Sequence, residues 1–245
     1  TVPRGCHVGY AIANHDDCFA VPAGIDPAGA AMARVASIGH RAARRSMPRG
    51  GEQVAVVGLG LIGLSAAMTL STSGARVVGF NRSPDRVELA RRCGVEAYRV
   101  DSDLGETVKR YLPGGADVLV DATGNAEMPV HAVEAIRDLD WTDGSHGSAR
   151  YVVLGSVNDN LAVPYFPSFY RELTMEFPRY TDNTDAREVL NLLDRGVLDF
   201  RPLLENTATS PRDAQAAYDA LADRKSGLIT AVFDWTRLHD ETGTS

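Results

Sequence analysis

Lysine is almost missing. Lys109 and Lys225 stand alone among 25 basic residues in a chain of 245; the rest are arginine. With the abundance of alanine, that bias points to a GC-rich genome rather than to a function. Cysteine is scarce too. Cys6, Cys18 and Cys93 are too few and too scattered for a disulfide framework, and they form no CxxC pair for a four-cysteine zinc site. Reduced thiols are expected. Positive charge is outnumbered, 25 basic against 32 acidic residues, for a formal net charge of −7. A nucleic-acid duplex repels such a chain, so no nucleic-acid partner is expected. No apolar run approaches the roughly 20 residues of a membrane-spanning helix, so no membrane partner is expected either. The first residues hold no basic stretch followed by an apolar one, which predicts no secretory leader and a cytoplasmic protein. Thr1 stands where a methionine would begin the chain, so the chain is either processed or part of something longer. The rest is ordinary for a globular protein, with 44% hydrophobic and 23% charged residues.

The first fifty residues carry little regular pattern. Residues 17–21 read as a short strand, 22–27 as a turn, and the Ala- and Arg-rich stretch 28–45 as a helix broken by Pro48-Arg-Gly-Gly51. From Gln53 onward strands and helices alternate. Strands are predicted at 53–57, 76–80, 97–100, 117–121 and 150–154. Helices are predicted at 64–73, 83–93, 104–112 and 128–139, with Ser83 as N-cap and Pro84 in the first turn of the second. This alternation predicts an α/β fold with a doubly wound parallel sheet. Residues 140–149 read as a polar exposed loop. Beyond them come a strand at 172–177, helices at 185–195 and 213–221, and a last strand at 228–235.

The glycine motif carries the chemistry. Gly58-Leu-Gly60-Leu61-Ile62-Gly63 follows a buried strand and opens a helix within a βαβ unit, the context in which GxGxxG binds a dinucleotide. Gly58 allows the tight turn. Gly60 lets a pyrophosphate approach the backbone, and Gly63 lets the helix pack close to the strand. The N–H groups at the start of that helix then face the phosphates. At the end of the second strand stands Phe80-Asn81-Arg82-Ser83. An NAD site carries Asp or Glu near Asn81 to accept from the ribose 2′-hydroxyl. Asn81 does not repel a 2′-phosphate, Arg82 can pair with one, and Arg86 adds a second charge one turn on. NADP(H) is therefore favoured over NAD(H), with solvated arginines and an NAD site as the alternative.

These residues, with Asp117-Val-Leu-Val-Asp-Ala-Thr-Gly124, Val152-Val-Leu-Gly155, Leu190-Asn-Leu-Leu-Asp-Arg-Gly196 and Asp213-Ala-Gln-Ala-Ala-Tyr218, give a chain that resembles the medium-chain dehydrogenase/reductase superfamily, the relatives of zinc-type alcohol dehydrogenases. The resemblance runs from about residue 9 to 235. It implies a Rossmann portion with small remnants of a β-rich substrate domain at both ends. The implied divisions are 1–45 for a remnant and linker helix, 46–180 for the dinucleotide-binding domain, and 181–245 for C-terminal helices and a return strand. It also implies that Ala122, Thr123 and Gly124 line the nicotinamide-ribose side and that Gly155 and Ser156 lie near the ring.

Departures from the family matter as much. Most of the GroES-like substrate domain is absent from this sequence, and with it the early zinc ligands. The later zinc ligand aligns near Arg34, which stays protonated and cannot ligate. Cys6-His7 is an incomplete metal site, so no zinc is expected. His40, on the linker helix, is the one candidate proton relay, against a packed histidine. Tyr165, Phe166, Phe169 and Tyr170 form an aromatic cluster that reads as a core or subunit contact, or as the roof of a substrate pocket. In the family the strand at 172–177 lies at the sheet edge and pairs across a two-fold axis, which implies a homodimer. The expected activity is zinc-independent, NADP(H)-dependent hydride transfer to or from a small carbonyl, alcohol or activated alkene. A nucleotide-binding module without turnover, and a piece of a full-length dehydrogenase, remain as alternatives. The substrate is not readable, because fold and cofactor motif do not carry it.

Overall fold

β1, Gln53–Val57, shows why the sheet is wrapped on both faces. Val54 and Val56 pack into one hydrophobic cluster and Ala55 and Val57 into another. A strand buried on both sides needs the continuous apolar run seen in the sequence. The computed structural model describes residues 11–139, 149–179, 182–205, 208–223 and 227–235. Around β1 lie β2 (Arg76–Asn81), β3 (Glu96–Arg99), β4 (Val118–Asp121), β5 (Arg150–Val153) and β6 (Thr174–Glu176). They form one six-stranded sheet in the order β3-β2-β1-β4-β5-β6, and every pairing is parallel. The chain order reverses between β1 and β4, so the crevice at their carboxyl ends is the topological switch point.

On one face lie α1 (Pro27–Ser46), α2 (Leu61–Leu70) and α7 (Asn183–Asp194). Asp26 caps α1 by accepting from Gly29 N, and Pro27 opens it. A Cβ on Gly39 would stand 2.5 Å from Ala66 N, so α1 and α2 touch almost backbone to backbone. α1 ends where Met47 takes φ 43°. α3 (Pro84–Arg92) and α8 (Arg201–Leu204) complete that side. On the other face α4 (Leu104–Tyr111) and α5 (Met128–Ala135) cover β4 and β5. A short α6 (Tyr165–Tyr170) precedes β6. Farther on, β7 (Ala208–Thr209), α9 (Ala214–Ala222) and β8 (Val232–Phe233) form a small appendage whose two strands pair in parallel. The two edges of the main sheet differ. β3 is flanked by charge, with Arg76 bridging to Glu96 at 2.9 Å. β6 is flanked by exposed Tyr165, Phe166, Phe169 and Phe177.

Three expectations need correction. No strand forms at 17–21: a single 3-10 turn spans His15–Asp17, and Phe19 is held by core packing and by Arg187, whose guanidinium lies 5.0 Å from its ring centroid. α5 stops at Ala135, four residues short of the predicted 139. Ile136 is drawn into a parallel bridge with Ala116, and Arg137 N donates to Ala116 O. The last strand is confined to Val232–Phe233. The loop expected at 140–149 lies outside the described residues apart from buried Ala149.

Candidate dinucleotide site

The β1–α2 turn is built from three glycines with three different reasons. Gly58 has φ +90°, and its N–H donates to Phe80 O at 2.9 Å, tying the turn to β2. A side chain there would be strained and would press on the Ala122 backbone, 3.0 Å away. Gly63 is excluded from other identities by contact alone, since an added Cβ would stand 1.9 Å from Gly58 O and 2.9 Å from Ala122 Cβ. Gly60 is different. Its φ of −76° suits any residue, and an added Cβ would meet no atom of the described residues within 4 Å. Gly60 is also the N-cap of α2, and no side chain caps the helix. The helix start therefore turns uncapped N–H groups, those of Leu61, Ile62 and Gly63, toward the crevice at the switch point. Leu59 points the other way, fully buried, into the space left by Gly79.

At the end of β2, Asn81 Oδ1 accepts from Ser83 N at 2.9 Å, and Ser83 Oγ accepts from Arg86 N at 3.4 Å to cap α3. The Asn81 oxygen is thus committed to the turn, which leaves its amide N–H donors. Arg82 is exposed. Arg86 is half-buried and turns toward the C-terminal segment, where Nη2 donates to Leu228 O at 3.3 Å. Its Nη1 is buried with no hydrogen-bond partner among the described residues, and burial lowers the guanidinium pKa from its ordinary value.

The opposite wall comes from β4 and β5. Asp121, 1% exposed, ends β4. Its Oδ1 accepts from Thr123 N at 2.8 Å and from Thr123 Oγ1 at 2.6 Å, and its Oδ2 accepts from the Tyr151 hydroxyl at 2.7 Å. Its backbone oxygen accepts from both Leu154 N and Gly155 N. Asp121 therefore ties the loop Ala122-Thr123-Gly124 to the loop Gly155-Ser156. The two loops meet closely: an added Cβ on Gly155 would stand 2.3 Å from Gly124 N, and one on Gly124 would stand 3.1 Å from Ser156 O. So Gly58, Gly63, Ala122, Gly124, Gly155 and Ser156, predicted as separate motifs, converge on one crevice. Asp121 and Tyr151 were not singled out by sequence. Their signal is weak: each is a polar group beside apolar residues in a short strand.

His40 is placed elsewhere. Its Nδ1 lies 3.1 Å from Asp185 Oδ1 in the seam between α1 and α7, where Arg44 Nη1 also donates to Asp185 at 2.8 Å. Asp185 is fully buried and doubles as the third residue of the capping box of α7. The imidazole is a cross-link between two helices, and the relay expected of it has no support in this geometry.

The family described as zinc-binding dehydrogenase matches residues 62–195, more than half of the chain. The chain belongs to that family. Alcohol dehydrogenase 1 of Pisum sativum is 28% identical over 169 residues, covering 65% of this chain and 42% of that protein. The chain thus spans about half the length of the curated relatives it matches. Two solved structures share the fold. Acetophenone reductase from Geotrichum candidum in complex with NAD aligns with TM-score 0.69 at 18% identity, covering 85% of this chain and 56% of that one. A protein from Sinorhizobium meliloti 1021 bound to NADP aligns with TM-score 0.66 at 22% identity, covering 81% and 57%. At such identities the likeness speaks for the fold alone.

A family named for zinc requires a test of the donor set. Among the described residues no group of three or more His, Cys, Asp or Glu could hold a metal ion. Arg34, where the resemblance places a ligand, lies exposed on α1 and carries a guanidinium that does not ligate. Cys6 and His7 lie outside the described residues. The described part of this zinc-binding dehydrogenase relative does not fit zinc. It does fit a dinucleotide: the open face at Gly60 is a cradle that a Cβ would fill.

Proposed function

We propose that this chain binds NADP(H), in preference to NAD(H), and serves zinc-independent hydride transfer to or from a small carbonyl, alcohol or activated alkene. The observation that carries the reading is Gly60, a glycine that nothing among the described residues demands, at an uncapped helix start on the switch point. The pyrophosphate would lie against Gly58–Gly63. Asn81, Arg82 and Ser83 would face the adenine ribose, with the Asn81 amide as donor and Arg82 as the charge for a 2′-phosphate. Arg86 would stand behind them as a second positive charge, held off by its bond to Leu228. Ala122, Thr123, Gly124, Gly155 and Ser156 would form the wall for the nicotinamide half. When bound, the nicotinamide supplies or accepts the hydride. The residues of this chain bind it, orient it and keep water from one face.

Substrate-dependent oxidation of NADPH by the purified chain tests the reading. Turnover with a carbonyl substrate is expected. Cofactor binding without turnover on any carbonyl, alcohol or alkene would favour the second reading, a nucleotide-binding module or one part of a larger dehydrogenase. The use of His40 by Asp185 is the observation that favours it, since the crevice then has no acid or base from that helix.

The same reading includes a homodimer. In β6, Thr174 N donates inward to Ala149 O, so strand alternation turns the Met175 N–H outward to the free edge. The exposed aromatic residues of α6 stand beside that edge. Pairing of two copies there would satisfy the edge and bury the rings.

A further inference from the structure

The fold buries two carboxylates and treats them in opposite ways. Asp185 is met by two guanidinium cations, Arg44 at 2.8 Å and Arg41 at 3.6 Å, with the His40 imidazole at 3.1 Å. Asp121 is surrounded by dipoles. Three hydrogen bonds reach it, from the Tyr151 hydroxyl and from the N–H and hydroxyl of Thr123. Among the described residues no arginine, lysine or histidine pairs with it. Hydrogen bonds lower the cost of burying the charge but leave the charge itself, and a buried anion without a counter-charge remains costly. Tyr151 does not share the charge. Burial first, then the field of Asp121 and the bond to it, raise the phenol far above its ordinary range, so it remains a donor. A net negative charge is thus fixed one residue behind the loop Ala122–Gly124.

We infer that the Asp121 carboxylate biases the crevice toward the oxidised form of a nicotinamide cofactor. This rests on the reading that the nicotinamide half lies against residues 122–124. The oxidised ring is a cation and the reduced ring is neutral, so a fixed anion favours the first over the second. A unit charge on the order of 10 Å away, at an effective dielectric of about 20, changes a binding ratio roughly tenfold. The cost of burying Asp121 then has a return in cofactor discrimination that a neutral residue at the same place does not give.

The test compares NADP+ and NADPH dissociation constants, measured by calorimetric titration, for the parent chain and Asp121→Asn. Asparagine preserves the shape: its oxygen can accept from Thr123, and its amide can donate to the Tyr151 oxygen. The expected result is that NADP+ weakens relative to NADPH by about tenfold. If both constants rise by the same factor, Asp121 only holds the loop and the inference falls. If the parent binds neither cofactor, the dinucleotide reading itself falls and takes the inference with it. Should Asp121→Asn not fold, Tyr151→Phe carries the test. One dipole is then removed and the charge kept, so the preference for NADP+ must hold or grow; a smaller preference overturns the inference.

Discussion

Replacing Gly60 and Gly63 by alanine, one at a time, separates what the chain needs from what its ligand needs. At Gly63 the new Cβ would stand 1.9 Å from Gly58 O and 2.9 Å from Ala122 Cβ. Both neighbours belong to packed turns, so the start of α2 must move. Overpacking costs of about 1–3 kcal/mol are typical, and a contact with backbone oxygen this short belongs at or above the top of that range. In a chain of this size that is a fall in melting temperature of roughly 6–12 °C. At Gly60 the Cβ meets nothing. Alanine at a φ of −76° removes unfolded-state freedom, a gain of about 0.4–1 kcal/mol, and loses a modest N-cap preference of similar size. The two offset, so melting should shift by no more than about 2 °C. Binding reverses the ranking. The methyl of Gly60→Ala occupies the space the pyrophosphate would take, so NADPH affinity should fall at least about tenfold, or 1.4 kcal/mol, in a protein as stable as its parent. Thermal denaturation and cofactor titration on the same samples read both effects. A Gly60→Ala protein that binds NADPH like the parent would refute the placement of the phosphates.

Arg82→Ala should narrow the gap between NADPH and NADH affinity by roughly tenfold or more, the worth of about 1.5–3 kcal/mol for a charged hydrogen bond; equal affinities in the parent would end the argument for a 2′-phosphate. Elemental analysis of the purified chain should find no stoichiometric zinc, and about one zinc per chain would contradict the zinc-independent reading. Light scattering should give twice the chain mass, and Phe169→Glu, which places a charge among the exposed rings of α6, should return it to the chain mass; a parent at the chain mass throughout excludes the β6 interface. Burial pushes the Cys93 thiol up to about 11 from 9.0, so alkylation followed by peptide mapping should mark exposed Cys18 well before Cys93. The sign for stability follows. The folded chain holds that proton more tightly, so the contribution is intact below pH 9 and is lost as pH rises toward about 11, which alkaline denaturation would register.

The elements legible in the sequence are those whose pattern has a single cause. β1 and β2 are apolar on both faces, and α3 begins with Ser83-Pro84, so their starts were readable to the residue. α5 was read too long because its apolar pattern continues through Ile136, and only the tertiary pull of Ala116 turns that residue into extended chain. Phe19 looked like part of a strand because it lies in the short apolar run Cys18-Phe19-Ala20-Val21, yet its partial burial comes from packing against the core, with Arg187 of α7 over its ring. The glycines of the site were visible because their spacing is local. The Asp121–Tyr151 bond was not. Register sets Asp121 beside Val153, and Tyr151 reaches it from the same face two residues earlier, a relation made by strand pairing and written in no local motif. The packed alternative for His40 could not be chosen from sequence for the same reason, since Asp185 lies 145 residues away.

The unlike edges of the sheet decide how far assembly can go. Hydrogen-bonded sheets grow wherever an edge is free, and a protein with two receptive edges can add copies without end. Here the β3 edge carries Glu96, paired with Arg76 of β2, and Arg99, bridged to Asp101 at 3.2 Å. A copy approaching it would have to strip water from these charges. Of the two edges of the main sheet, β6 is the one the proposed dimer uses, and a surface that pairs with itself is consumed by the first encounter. In the proposed dimer growth would terminate after one addition, and the charge on a strand at the far side of the sheet would oppose fibre formation.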